Sequence, residues 1–353
     1  MKNLIIIGNG FDKAHNLKTS YNEFIENLFN EKYFKDKDSY TDVLESCLPT
    51  INTFEKIINH FQGFDAAKRY AKGKNCPFHF SPRSANVKFN SRFIELLIYD
   101  MAEYKWCDIE YKYFQELKRY NNSEYNPKIL NDDFDIVKKH LVNYLKEEEK
   151  NAAKIDSYEY FFKLFTNSPE TLILNFNYTR TLENLYKDVV KCQIIHIHGE
   201  LENEENPIIF GYAADIGETS QLLSQNDQEF LKNIKKYSYK RTNNERNLNL
   251  FLDSIDRLDS LRIFILGHSC GLSDNLILNT IFNHRTIGSI NMLYHENYKN
   301  YFDVQVNIDR IMNSNTGFSK LATFPHSHRM PQWNDTQNQM SDFFNYINPY
   351  QNK

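Results

Sequence analysis

Glycine and proline are scarce in this chain, with 11 and 9 among 353 residues, which disfavours a loop-rich β fold. No apolar run approaches the roughly 20 residues that a membrane-spanning helix needs, so no membrane partner is expected. The opening apolar run is short and leads into Gly8-Asn9-Gly10 and Asp12 rather than a small-residue cleavage site, so it is not read as a signal peptide. A paired cysteine framework is missing as well. Cys47, Cys76, Cys107, Cys192 and Cys270 are odd in number, widely spaced and without a CxxC pair, as expected of reduced thiols in a cytoplasmic protein. There is no excess of positive charge: the net charge is −4 and the pI about 6.3, so no nucleic-acid partner is expected. Internal repeats and low-complexity tracts are absent.

Aromatic residues are abundant. They make up 15% of the chain, and hydrophobic residues 41%, which excludes a disordered chain and favours helices with aromatic packing. The length allows two domains, or one with a large insertion. Asn3 to Ile7 does not alternate and reads as a strand buried on both faces, followed by a turn and a helix. Thr19-Ser20-Tyr21-Asn22-Glu23 resembles a capping box opening a helix over Tyr21 to Phe29.

From 31 to 165 the character shifts to Lys, Glu, Tyr and Phe, with helical periodicity in Phe54–Phe61, Phe93–Met101 and Phe134–Leu145 and a basic loop over Lys72–Asn90. This block reads as a helical insertion. Strand patterns return at Thr171–Tyr178, Gln193–Gly199, Pro207–Gly211, Leu261–Gly267 and Ser289–Tyr294. Helical patterns separate several of them, at Thr181–Val190, Gln221–Tyr239, Leu248–Leu258 and Asn275–Asn283. Alternating strands and helices predict an α/β fold, a mostly parallel sheet with helices on both faces, built from 1–30 and 166–330. Residues 331–353 read as a polar surface helix and tail.

Four segments could carry chemistry. Gly8-Asn9-Gly10 is a strand-to-helix turn of the kind that admits a phosphate, but Lys13 stands where a dinucleotide fingerprint has its third glycine. It is either a nucleotide site or merely a tight turn. Asp12 either caps the helix or bonds a ligand hydroxyl. Asn175 and Asn177 share a face near a strand end, as loop-bonding amides or as ligand-orienting ones. His196 and His198 also share a face at a strand end. A His-x-His pair can bind zinc, but no further ligands stand at an obvious spacing, so no metal is expected. One histidine as a general base or ribose contact and the other as a satisfied core residue is the preferred reading. Gly267-His268-Ser269-Cys270-Gly271 matches the G-x-S-x-G elbow literally, with His284, His295, His326 and His328 available later, so a serine hydrolase using Ser269 stays open. Ser273 or Asp274 would cap the next helix. His326 and His328 read as surface.

In this order, the four segments resemble the AbiH family of bacterial phage abortive-infection proteins. IIIGNGFDKAHNLKTSYNEF carries most of the likeness, supported by LNFNYTRTLENLY, IHIHGE and LGHSCGLSD. Members often carry Gly where this chain has Asn16 and Pro where it has Lys18. The arrangement is also remotely similar to the sirtuin-like, Rossmann-like NAD-binding fold. On that likeness Asn177-Tyr178 matches an Asn-Tyr pair, His198-Gly199 a His-Gly pair, and Gly267 and Ser269 the late turn. Thr179 departs from the Asp common there, and Asp12 could stand in for it. The resemblance implies NAD hydrolysis to ADP-ribose and nicotinamide in phage defence. Asn177 and His198 would be catalytic, with Gly8, Asn9, Gly10, Asp12, Asn175, Tyr178, Gly199, Gly267, Ser269 and Asp274 around the nucleotide. It implies NAD as substrate with no further cofactor, a homo-oligomer, and a phage-derived trigger or partner. A nucleotide-binding sensor without catalysis is the alternative.

Overall fold

The computed structural model describes residues 1–28, 41–43, 87–89, 93–94, 96–97, 100, 108–120, 126–167, 170–213, 227–312 and 318–335. The chain divides into two compact units. One comprises Met1–Thr19, Leu145–Ile216 and Asn233–Lys353, and the other Ser20–Tyr144 and Gly217–Lys232.

The first unit is built on a six-stranded sheet. Its strands are β1 (Lys2–Ile7), β4 (Thr171–Asn175), β5 (Gln193–His196), β6 (Leu261–Leu266), β7 (Ile287–Tyr294) and the short β8 (His328–Arg329). They lie side by side as β5-β4-β1-β6-β7-β8, and every neighbouring pair is parallel.

Both faces are buried, which is why the strands read as unbroken apolar runs. Leu4, Ile6, Leu172, Leu174, Ile263 and Ile265 point into one core, together with Leu248 and Leu252 of the helix Asn244–Asp253 and Ile277 and Ile281 of Asn275–Phe282. Ile5, Ile7, Ile173, Phe264 and Leu266 point into the other, with Phe11, Phe161, Phe162 and Leu182 from the helices Asn9–Ala14, Asp156–Thr166 and Thr181–Tyr186. This is an α/β, Rossmann-like fold with helices on both faces of a parallel sheet.

The second unit is aromatic. Tyr113 stacks on Phe134 at 4.1 Å between ring centres, and Phe93 meets both edge-on. The capping box forms around Ser20: its hydroxyl bonds the Glu23 carboxylate at 2.6 Å, and that carboxylate also accepts from the Ser20 amide at 3.0 Å. The helix it opens is Tyr21–Leu28. The periodicity over Phe134–Leu145 falls inside the helix Pro127–Glu148.

Several expectations need correction. Pro207–Gly211 is not a strand. Proline cannot donate to a ladder, and the segment folds back so that the Ile209 amide donates to the His198 carbonyl at 2.7 Å. The described part of Gln221–Tyr239 is not one helix, because Asp227 caps a short 3-10 turn and Ile234 turns extended to bridge Tyr212. Val87–Phe89, within the expected basic loop, forms strand β3 against β2 (Thr41–Val43). Three residues are too few for alternation to show. His328 is half-buried in the edge strand β8, not on a surface loop.

The helix Asp156–Thr166 packs on the sheet although its composition matches the insertion. The helix Tyr298–Ile311, capped by Asn297, is an addition to the expected helices and buries Tyr301, Ile308 and Ile311. Phe54–Phe61, the rest of Lys72–Asn90 and the tail beyond Asp335 lie outside the described residues. Among the described residues no helix is long and apolar enough to cross a membrane.

A core test follows. Ile5 is 0% exposed and Leu258 fully exposed at 103%. Ile5→Ala is expected to cost about 2–5 kcal/mol of unfolding free energy in urea titration. Leu258→Ala is expected to change it by less than about 0.5 kcal/mol.

Candidate functional site

Counted along the chain, the sheet strands lie in the order 3-2-1-4-5-6, so the order reverses between β1 and β6. In open α/β sheets ligands bind outside the carboxyl ends of the strands at such a switch point. All four chemistry-bearing segments leave the sheet there or beside it. Gly8 follows β1, Phe176 and Asn177 follow β4, Ile197 and His198 follow β5, and Gly267 and His268 follow β6.

The segments touch in a closed circuit. A methyl group on Gly8 would come within 2.6 Å of the His268 backbone, so the first and last turns are in contact. The His268 Nε2 lies 3.4 Å from Asp274, and the His198 Nε2 lies 3.1 Å from the other oxygen of that carboxylate. The Phe176 ring packs against both imidazoles, at 5.1 Å from His198 and 4.2 Å from His268. Asn177 Nδ2 closes the circuit by donating to the Gly8 carbonyl at 3.1 Å.

Asp274 is the centre of this group. It occupies the N-cap position of Asn275–Phe282, but its side chain makes no capping bond. The carboxylate turns inward instead and accepts from Lys235 Nζ at 3.2 Å. Lys235 is 1% exposed, an ammonium enclosed in the protein. Burial opposes the charge on Asp274, but Lys235, His198 and His268 outweigh it and hold the carboxyl well below its usual range.

An ionised carboxylate only accepts, so both histidines direct Nε2–H at it. His268 Nδ1 in turn accepts from the Cys270 amide at 2.9 Å, leaving both its nitrogens committed. His198 differs. Its Nε2 also meets the Tyr239 hydroxyl at 3.0 Å, while Nδ1 has no partner among the described residues. Burial first, and then Lys235, lower the His198 pKa, so the ring is neutral at physiological pH with its basic nitrogen available.

His196 is the satisfied member of the pair. β5 ends at His196, so the two rings do not continue a shared strand face and have separate partners. His196 Nδ1 lies 3.1 Å from the Asn177 carbonyl and Nε2 2.6 Å from Glu183. Asn175 Oδ1 accepts from the Asn177 amide at 3.0 Å, bonding the loop backbone. With Nδ2 on Gly8, the Asn177 Oδ1 is left without a partner among the described residues.

The glycine turn is committed to the protein itself. The amides of Gly8 and Gly10 donate to the carbonyls of Leu266 and Gly267 at 3.1 and 2.8 Å. Gly267 has φ +68, and a side chain there would strike the Phe11 amide. Asn9 accepts from Thr19. Gly199, at φ +78, is held against the Pro207 carbonyl, and the Tyr178 hydroxyl donates to the Ile209 carbonyl at 3.2 Å. Asn16 adopts φ 73, the left-handed geometry that asparagine tolerates.

Asp12 is 2% exposed and accepts from the Thr179 hydroxyl at 2.5 Å. Among the described residues its other oxygen is enclosed with no hydrogen-bond partner. Burial pushes the Asp12 carboxyl up to about 6, against the hydrogen bond from Thr179.

The late turn does not assemble a serine nucleophile among the described residues. Ser269 is exposed, and its carbonyl accepts from Asn307 at 2.9 Å. His284, His295 and His328 contact Thr286, Glu296 and the Arg329 backbone. Burial raises the Cys270 thiol far above its ordinary range, so it is no thiolate. Lys235, Tyr239 and Glu183 escaped sequence reasoning. Lys235 sits in a lysine-rich stretch with Lys232, Lys236 and Lys240, and nothing there marks it as buried.

Two stability tests follow. Asp274→Asn strands the Lys235 charge and is expected to cost about 3–5 kcal/mol in urea unfolding, most of it recovered by adding Lys235→Met. Because the folded pKa of Asp274 is depressed, this stabilisation is present above pH 3.8 and fades as pH falls through the lower folded value. Asp12 runs the opposite way. Its carboxyl binds a proton more tightly when folded, so stability falls as pH rises from 3.8 to about 6. Asp12→Asn should therefore stabilise by roughly 2–3 kcal/mol at pH 7 and have little effect at pH 4.

A search among curated proteins returned no match. The family model described as "Bacteriophage abortive infection AbiH" matches residues 4–295. That span runs from β1 to the end of β7 and contains every residue of the circuit, and on this match the chain belongs to the AbiH family of bacteriophage abortive infection proteins.

Proposed function

We propose that this protein acts in abortive infection by hydrolysing NAD at the bond between nicotinamide and ribose. Family membership supports the defence role. The observation that carries the chemical reading is the pair of acceptors without a partner among the described residues, His198 Nδ1 and Asn177 Oδ1, on a contact circuit at the carboxyl ends of the strands. Cleavage of NAD suits such a site because the leaving nicotinamide is already cationic and needs no general acid. The nicotinamide nitrogen departs with the bonding pair, leaving an oxocarbenium-like ribose. Asn177 orients the ribose or the incoming water. A water oxygen bonds to the ribose carbon, and its proton passes to His198 Nδ1 and then to solvent. Neutral His198, held with its proton on Nε2 by Asp274, is in the required state.

A second reading, a nucleotide sensor without cleavage, is favoured by Thr179, which stands where the sirtuin-like pattern commonly has Asp and whose hydroxyl is spent on Asp12. Purified protein incubated with NAD and a lysate of phage-infected cells separates the two. Nicotinamide release is expected, falling by about 10²–10⁴-fold in His198→Ala. Asn177→Ala is expected to abolish it too, and Ser269→Ala to leave it unchanged. Intact NAD with the wild-type protein in that lysate would overturn the reading. An esterase activity lost in Ser269→Ala would replace it.

A further inference from the structure

We infer that His196 is a positioning residue: a doubly protonated imidazole, clamped by Glu183, that fixes the Asn177 backbone and sets the alkaline limit of the reaction proposed above. The inference rests on that reading of the site for its link to activity, and on geometry for the clamp itself.

His196 is 5% exposed, and each ring nitrogen faces an acceptor. Nδ1 is directed at the Asn177 carbonyl, 3.1 Å away, and a carbonyl cannot donate. Nε2 is directed at Glu183 Oε1, 2.6 Å away, a carboxylate oxygen that accepts. Two acceptors require two ring protons, hence an imidazolium. Charged groups approach it from two elements. Glu183 comes from the helix Thr181–Tyr186, and Glu200 comes from the segment after β5, itself 3.7 Å from Arg180. Burial disfavours the charge, yet Glu183 outweighs it and raises the His196 pKa above its ordinary value.

The ring is also anchored through its own backbone. The His196 carbonyl accepts from Asn244 at 2.7 Å and from Asn206 at 3.2 Å, and those two side chains bond each other at 2.8 Å. His196 thus joins a fixed point to the Asn177 carbonyl. If the ring lost a proton, it would have to release either Asn177 or Glu183, whose other oxygen is already enclosed without a partner among the described residues.

The two histidines of IHIHG therefore work in opposite charge states at one pH. His198 must be neutral, so its protonation sets the acid limb, and His196 must be charged, so its deprotonation sets the alkaline limb.

The test pairs an NMR titration of both imidazoles with the pH profile of NAD cleavage, in wild type, Glu183→Gln and Glu183→Asp. In wild type, His196 should stay protonated past 6.5, its ordinary value, and the Asn177 amide shift should follow its titration. Glu183→Gln should lower the His196 midpoint by about one pH unit or more. The alkaline limb of kcat should move down with it, an approximately tenfold loss at a fixed pH beyond the limb, while the acid limb stays in place. Glu183→Asp should largely restore it. A purely structural role would lower thermal stability without moving the limb, and that result overturns the inference. So does an Asn177 amide that ignores the His196 titration in wild type, a readout that needs no variant to fold. If wild type cleaves no NAD, the hydrolase reading fails on its own while the titration still decides the clamp.

Discussion

A carboxylate enclosed in protein must be matched by positive charge or by donated hydrogens, and Asp274 uses both. Lys235 supplies the charge, and His198 and His268 each supply an N–H. That single constraint fixes the tautomer of both imidazoles. It commits His268 entirely, since its second nitrogen takes the Cys270 amide, and it leaves His198 with one basic nitrogen to spare. It also joins chain segments far apart in sequence, because Lys235, His198 and Asp274 enter from three separate connections.

The sheet order supplies the place where these segments meet. With β1 and β6 adjacent and their connections leaving to opposite faces, a crevice at their carboxyl ends is the expected ligand position. Here the two turns at that position press together, Gly8 and Gly10 against Gly267 and His268, closely enough that none of the three glycines could carry a side chain. The glycines serve backbone contact between turns, and the hydrogen-bonding capacity left over lies with Asn177 and His198. A ligand site at this end of the sheet therefore rests more on side-chain acceptors than on a cradle of turn amides.

Much of the fold was legible because burial on both faces leaves unbroken apolar strands, as in Leu4–Ile7 and Leu172–Leu174. Pro207–Gly211 misled because it is apolar for another reason, folding back over the exit of β5. At the site, residues whose type is unusual on a strand end were found: Asn177, His198 and Gly267. Lys235 and Glu183 were not, since a lysine among lysines and a glutamate in a helix's first turn read as surface. Asp274 was noticed for the wrong bond: its position is that of a cap, but three nitrogens hold its carboxylate. The expectation that His196 and His198 share a face failed because the pleat stops at His196.

On the account given, the spare nitrogen of His198 and the free oxygen of Asn177 address the ribose that loses nicotinamide. A crystal structure with ADP-ribose, the product of that cleavage, bears on this most directly. The account predicts the terminal ribose within hydrogen-bond reach of His198 Nδ1 and Asn177 Oδ1, at the carboxyl ends of β4 and β5. ADP-ribose bound with that ribose away from both atoms, or soaked crystals with this end of the sheet empty, would contradict it.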